Sequence, residues 1–332
     1  FKGVINMNIK KIGLTALAAS LVSVTAHAGT LTASGSASIN SEGHTGEGLN
    51  AGTTFSMGNS VTFTGSGELD NGLTVSMSFE LDQGVANNSS KGFDNHSVTV
   101  SSDAMGSLTF AGHGGSSSSS KIDTTAAGDM WDNFDQLSNA SGLTFPDAIK
   151  TEGGVDNSFF YSSPDIIDGL NVTLSYNPQA GNTAGGGSET GMGFNYTGVE
   201  GLSFSYAETD VETGVAGTSG TNTVYSVSYA YGPVTVAYSN SEEDPATTSA
   251  NGESDSVAVT YTVSDEISVT YGTETHAQAD KTTDIEIDGI KASYTSGGMT
   301  ISAAMMDGEN LDYSTNTGAD VEYWALGASF AF

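Results

Sequence analysis

The sequence contains no cysteine, no arginine and only five prolines in 332 residues. Without cysteine, the fold has no disulfide bond, and no thiolate is present to bind a metal or to attack a substrate. The eight basic residues are all lysine and stand against 39 acidic residues. Because nucleic acids and anionic membranes are bound through cationic side chains, this balance argues against both as partners and favours contact with cations.

No stretch after residue 28 is long and apolar enough to predict a transmembrane helix. Residues 1–28 have the pattern of an export signal: Lys10 and Lys11 precede an apolar run, Ile12–Val24, and the small-residue site Ala26-His27-Ala28. That run has about 13 residues, fewer than the roughly 20 that a helix needs to span a bilayer. We therefore predict a cleaved signal peptide, residues 1–28, and one mature domain, residues 29–332, with five lysines, 39 acids and a net charge of about −34.

Segments of about ten residues alternate apolar or aromatic side chains with small polar ones. In Leu73–Asp82 every odd position is apolar and every even position is polar, and the alternation recurs in Tyr225–Tyr231 and Ile267–Tyr271. A soluble β-sandwich alternates in the same way. Its outer face, however, carries more lysine, arginine and glutamate than the serine, threonine, glycine, alanine and asparagine found here. Tyrosine and phenylalanine also end the apolar parity, as in the aromatic girdles of a membrane barrel.

Short turns rich in glycine, proline, asparagine and aspartate alternate with longer connections. The segments between these connections predict an all-β fold, a transmembrane antiparallel β-barrel of about 16 strands. An even number of strands places both termini on one side. In the fourteenth segment Ile285 and Ile287 take one parity while Ile290 and Tyr294 take the other, so we expect a bulge near Gly289. The predicted strands are 30–40, 59–69, 72–82, 94–102, 106–112, 155–163, 169–178, 190–198, 201–210, 222–232, 233–242, 254–263, 266–275, 284–296, 298–307 and 319–332.

One face of the last segment carries Trp324, Leu326, Ala328, Phe330 and Phe332. This segment resembles the closing strand of Gram-negative outer-membrane proteins. With the export signal and the strand count, the whole mature chain resembles a general diffusion porin, and its layout is similar to that of α-proteobacterial porins. The resemblance implies an outer-membrane location, a homotrimer, and passive diffusion of small hydrophilic solutes and ions rather than an enzymatic activity. The first strand, small on both faces, fits either a subunit contact or simply a weak strand.

The resemblance also implies a long third loop that folds into the lumen. The longest connection, from His113 to about Gly154, holds that position, and a loop of this length is usually functional. One side of a short helix within it would carry Met130, Trp131, Phe134 and Leu137. We expect that side to lie on the inner wall while the carboxylates face the pore. The predicted constriction residues are Asp123, Asp129, Asp132, Asp135, Asp147 and Glu152 of the loop, with Lys291 and Glu80 of the wall.

The charge pattern departs from the family that the chain resembles. Such porins oppose the acidic loop with arginines on the barrel wall, whereas Lys291 is the only strand lysine placed for the lumen here. We therefore predict an acidic constriction whose carboxylates attract cations that come within about a Debye length of them. We expect no cofactor. Asp129, Asp132 and Asp135 have the oxygen ligands for a weak calcium site, but solvated loop charge is the favoured interpretation of these residues.

Three alternative functions fit parts of the sequence. A secreted or surface adhesin fits the glycine, serine, threonine and asparagine content, but a regular glycine and aspartate repeat is absent. A barrel enzyme needs a nucleophile and a base, and Gly112–Gly115 with its following serines lacks the Gly-x-Ser-x-Gly motif. An anion or phosphate channel is disfavoured by the absence of arginine.

Overall fold

The computed structural model describes residues 29–46, 53–82, 93–122, 125–134, 137, 145, 156–178, 187–212, 219–245 and 251–332. The predicted signal peptide lies outside them, and no helix within them is long and apolar enough to cross a membrane. These ranges contain sixteen strands: β1 Thr30–Gly46, β2 Thr53–Glu68, β3 Thr74–Asp82, β4 His96–Ser102, β5 Gly106–His113, β6 Ser158–Ser162, β7 Leu170–Asn177, β8 Glu189–Tyr196, β9 Leu202–Val211, β10 Gly220–Tyr231, β11 Val234–Pro245, β12 Gly252–Thr262, β13 Ile267–Gln278, β14 Ile285–Ser296, β15 Met299–Glu309 and β16 Val321–Ala331.

The strands pair antiparallel in chain order, and β1 pairs with β16, so the sheet closes into a barrel. This confirms the predicted fold class and strand count. Tight connections such as 69–73, 103–105 and 232–233 lie at one end, which we call the turn rim, where β1 begins and β16 ends. The opposite end, the loop rim, carries the longer connections, among them the third loop between β5 and β6.

Side chains along each strand point alternately out of the barrel and into it. The outward positions are apolar and exposed, as shown by Met305 at 67%, Leu326 at 54% and Tyr261 at 50%. A soluble sandwich would bury this parity, whereas here it forms the outer surface of the whole barrel. Because such a surface is stable in hydrocarbon and not in water, the alternation that the sequence shows is that of a transmembrane barrel.

Two glycines of β1 make room for aromatic rings where the barrel closes. The backbone of Gly35 exchanges two hydrogen bonds with that of Phe332, at 2.7 and 3.0 Å, and the Phe332 ring covers Gly35, where an added Cβ would lie 2.6 Å from ring atoms. A Cβ on Gly43 would lie 2.8 Å from the indole of Trp324. Gly35 and Gly43 of the first strand are therefore explained, within this chain, by aromatic rings of the last segment.

The predicted bulge near Gly289 is wrong. Pairing of β13 with β14 runs without a shift from Ile267 and Tyr294 to His276 and Ile285. Ile285 and Ile287 instead lie on the lumen parity and are fully buried, at 0% and 1% exposure. Apolar residues are stable on this inward face because the third loop packs over them, so the pattern changes without any change in strand geometry.

The first two strands are longer than predicted, by about six residues each at the loop rim. Their pairing continues from Glu42 and Thr54 to Gly43 and Thr53. Serine, threonine and glycine occupy both faces of these extensions, so the apolar alternation that marks a strand in the sequence fades there although the ladder continues.

Candidate pore constriction

The third loop runs along the inner wall of the barrel. Because the wall residues on the lumen parity are small and polar, their hydroxyl groups accept hydrogen bonds from the loop backbone. At the far end of the described segment the loop reaches β1, where His44 Nε2 lies 2.6 Å from the carbonyl oxygen of Asn133. The hydrogen bonds from loop N–H groups to wall serine hydroxyls include Ser118 N–H to Ser175 Oγ at 2.9 Å, Ala126 N–H to Ser239 Oγ at 2.7 Å and Ala127 N–H to Ser256 Oγ at 2.8 Å.

An apolar cluster fixes the middle of the loop to the wall. A single 3₁₀ turn, Trp131–Asn133, lies where the sequence predicts a short helix. Trp131 and Phe134 are at most 1% exposed. Burying an aromatic side chain contributes roughly 2 kcal/mol. The cluster, which we call the loop seat, joins loop residues Ala127, Met130, Trp131, Phe134 and Phe145 to wall and rim residues Ala258, Ile285, Ile287, Met306, Leu311, Tyr313, Ala319, Val321 and Tyr323, with Leu137 packed against it.

A buried carboxylate of β13 holds the same turn. Glu274 is 1% exposed, and its two oxygens accept the backbone N–H groups of Met130 at 2.9 Å and Trp131 at 3.0 Å. His276 Nε2 lies 3.6 Å from the same carboxylate, and its Nδ1 lies 2.6 Å from Ser254 Oγ. A buried charge is costly unless hydrogen bonds compensate it, so the loop and the wall stabilise one another here.

A lysine of β14 holds the turn from the other side. Lys291 Nζ donates hydrogen bonds to the carbonyl oxygens of Ala127 at 2.8 Å and Gly128 at 2.5 Å. Gly128 and Asp129 both have positive φ, 81° and 47°, a conformation that glycine and aspartate tolerate. Thr125 Oγ1 donates to Asp129 Oδ1 at 2.6 Å. Glu274 and Lys291 thus clamp residues 127–131 by their N–H and C=O groups.

The predicted constriction residues fall into three groups. Asp129 and Asp132 are exposed on the lumen side of the loop, opposite the buried side chains of the loop seat. Glu80 lies on the lumen parity of β3, where its Oε2 accepts a hydrogen bond from Asn95 Nδ2 at 2.8 Å, and Lys291 contacts the loop backbone. Outside the described residues lie Asp123, Asp135, Asp147 and Glu152.

Glu274 and His276 form part of the site but were not predicted from the sequence. The strand containing them offers one signal: on the lumen parity of β13, Glu274 follows Ser268, Thr270 and Gly272. An acid among such small residues on an inward face needs donors nearby. The donors are backbone N–H groups about 140 positions away in the chain, which local periodicity does not reveal.

Among the residues that the structure describes, few lysines lie in the lumen. Strands β1 to β5 contain neither lysine nor arginine, and their inward face is hydroxyl-lined, with Ser36 Oγ 3.1 Å from Ser60 Oγ and Thr99 Oγ1 2.8 Å from Thr109 Oγ1. In the loop, Lys121 Nζ lies 5.7 Å from the centre of the Phe160 ring. The inward face of β1 to β5 therefore carries hydroxyl groups and the Glu80 carboxylate, without a lysine or an arginine.

Within the part of the chain that the structure describes, no three histidine, aspartate or glutamate side chains are grouped to hold a metal ion. The third member of the calcium site predicted from Asp129, Asp132 and Asp135 lies outside that part, so the site stays a prediction.

Comparisons with known proteins agree on the fold. A family model described as Gram-negative porin matches residues 13–287. The anion-selective porin from Comamonas acidovorans is 14% identical, with a TM-score of 0.68 over 91% of this chain and 99% of that one. A triple mutant of the Rhodopseudomonas blastica porin is 16% identical, with a TM-score of 0.61 over 91% and 100%. At such identities the structures show a shared barrel alone. No curated protein sequence matches this chain.

Proposed function

This chain belongs to the Gram-negative porin family, and from that premise we propose that it forms a cation-preferring, water-filled pore whose third loop narrows the lumen. The family and the barrel fold support an outer-membrane channel for the passive diffusion of small solutes, and such proteins are channels rather than enzymes. The proposal adds the charge preference and the residues that set it, which are the carboxylates of the third loop.

One observation carries the proposal. The third loop is fixed to the wall by its apolar side, which leaves Asp129 and Asp132 exposed to the lumen, and the strands β1 to β5 supply no cation. Carboxylates at a constriction raise the local concentration of cations and repel anions. A relative of similar fold is named anion-selective. In this chain the absence of arginine supports the opposite preference.

We also propose that the protein is exported by its cleaved signal peptide and assembles as a homotrimer. The pattern of residues 1–28 supports export. The outward face of β1 carries the small side chains of Ala33 and Ala37 near the exposed Ile39, and these support close subunit contact. A heat-modifiable trimer on electrophoresis of outer membranes is the expected result, and a species that migrates as a monomer without heating would contradict it.

Planar-bilayer recording tests the charge preference. In a tenfold potassium chloride gradient, the unsubstituted protein should give a reversal potential of the sign that indicates cation preference. Asp129→Asn with Asp132→Asn should reduce the cation-to-anion permeability ratio by about twofold or more. Asp165→Asn, in a turn at the turn rim, is the matched control. An unchanged reversal potential in the double variant would remove these two residues from the selectivity site.

A further inference from the structure

A recess of about 430 Å³ lies between the third loop and the wall formed by β13 to β16. It lies towards the turn rim, because its wall residue Ser268 is near the start of β13 whereas the loop contact Glu274 is further along. The loop side of the recess presents Asp129, Asp132 and the amide of Asn133. Its wall side presents a row of hydroxyl groups, from Ser268, Thr270, Ser293 and Ser302.

The charge of the recess is negative. Asp129 and Asp132 are both exposed at its edge. Its one lysine, Lys291, directs two N–H bonds at loop carbonyl oxygens, at 2.8 and 2.5 Å. The ammonium group therefore stabilises the loop turn, and the described residues that line the recess carry two carboxylates and one ammonium group, a net charge of −1. A solute that carries an ammonium group is attracted to this side, while an anionic solute is repelled.

The opposite side of the recess is suited to hydroxyl groups. Ser268 Oγ and Ser293 Oγ lie 2.8 Å apart, on the lumen parity of adjacent strands. Each hydroxyl both donates and accepts, so the row can exchange its internal hydrogen bonds for bonds to a solute's hydroxyls. Ala304 and Ala325, which also line the recess, are small enough to leave the space open.

We propose that this recess is a transient binding site for small organic cations that carry both ammonium and hydroxyl groups, of which an amino sugar is the type. The ammonium group lies against Asp129 and Asp132, and the solute's hydroxyls lie along the serine and threonine row. A volume of about 430 Å³ is within the usual range for a small-molecule site, roughly 300–1,000 Å³. The inference rests on the proposed channel function and adds a solute class to it.

Single-channel recording tests the recess with three matched probes. D-glucosamine carries both groups, N-acetylglucosamine lacks the ammonium charge, and methylammonium lacks the hydroxyls. D-glucosamine added on the turn-rim side should cause brief, concentration-dependent reductions of the current. At equal concentration, the other two probes should give at least about tenfold fewer events, because each lacks one of the two groups that the recess would bind.

Variants separate charge from shape. Asp129→Asn with Asp132→Asn should abolish the glucosamine events, and so should Ala304→Leu, which fills the recess without changing charge. Glu286→Gln, an exposed outward carboxylate on β14, should retain them. Equal events with methylammonium, or events that persist in Ala304→Leu, would overturn the site. Normal conductance without glucosamine events would contradict the binding site alone. A protein without any conductance would contradict the proposed channel function itself.

Discussion

The Glu274 carboxylate and the backbone N–H of Trp131 are joined by a 3.0 Å hydrogen bond between the wall and the third loop. A second bond, from Met130, reaches the other carboxylate oxygen, and the group is buried. Hydrogen bonds to a charged group contribute about 1.5–3 kcal/mol each, and a buried N–H left without an acceptor costs a similar amount. The geometry of the constriction therefore depends on Glu274 together with Lys291 and the loop seat.

Glu274→Gln keeps the shape of the side chain but places an amide N–H₂ opposite one of the two backbone donors. We expect the loop turn to loosen and the free energy of unfolding to fall by about 1–3 kcal/mol. The folded band on electrophoresis should then be lost at a lower temperature when the protein is heated in detergent. The open-channel current should become noisier. Glu286→Gln, an exposed outward carboxylate on β14, is the control. Equal noise in both variants would show that the loop does not depend on Glu274.

Phe134→Ala removes a fully buried ring from the loop seat and should lower the free energy of unfolding by about 3–5 kcal/mol. The loop should then be cleaved faster by trypsin at Lys121, which precedes the seat in the loop. Phe330→Ala, a ring 41% exposed on the outer surface, is the control. A Phe134→Ala protein as resistant to trypsin as the control would mean that other contacts hold the loop.

The sequence predicts the barrel well because parity and turn residues are local signals. In Leu73–Asp82 the polarity of each residue indicates the face of the sheet on which it lies, and such segments suffice to count sixteen strands. The loop seat is not local. Ile285 and Ile287 look like a break in the pattern until Trp131 is placed against them, and a contact between positions so far apart leaves no periodic trace. For the same reason, the exposed loop aspartates were predicted as site residues and Glu274 was not.

Gly43→Ala tests the closure of the barrel. A Cβ there lies 2.8–3.1 Å from the Trp324 indole, so the ring must move, at a cost of about 1–3 kcal/mol. Adding Trp324→Phe should recover part of that loss because the smaller ring leaves space. Gly65→Ala, where the nearest atom is 3.9 Å away, should be tolerated. A loss in Gly43→Ala that the second substitution does not relieve would point to backbone rather than ring contact.

Tyr313 makes stability depend on alkaline pH. Burial against the loop seat, with smaller contributions from the charges of Asp280 and Asp284, raises the pKa of Tyr313 to about 12. The folded state favours the neutral phenol, so the free energy of unfolding keeps this contribution in full below pH 10. On the order of 2 kcal/mol is lost as the pH rises from 10 to 12, where the unfolded chain loses the phenol proton first. Tyr313→Phe should flatten that part of the stability curve. An identical pH dependence in the two proteins would contradict the assignment.

A row of carboxylates lies on the outer surface near the loop rim, where Asp288, Asp307 and Glu322 are cross-strand neighbours on β14, β15 and β16. Like charges directly opposite one another destabilise a sheet. Asp307→Asn should therefore raise the free energy of unfolding by about 0.2–1 kcal/mol at low ionic strength. The gain should shrink in about 1 M salt, where the Debye length falls to roughly 3 Å. Asp103→Asn, in a turn at the opposite rim, should change stability little, and an equal gain there would show that net charge rather than this row is responsible.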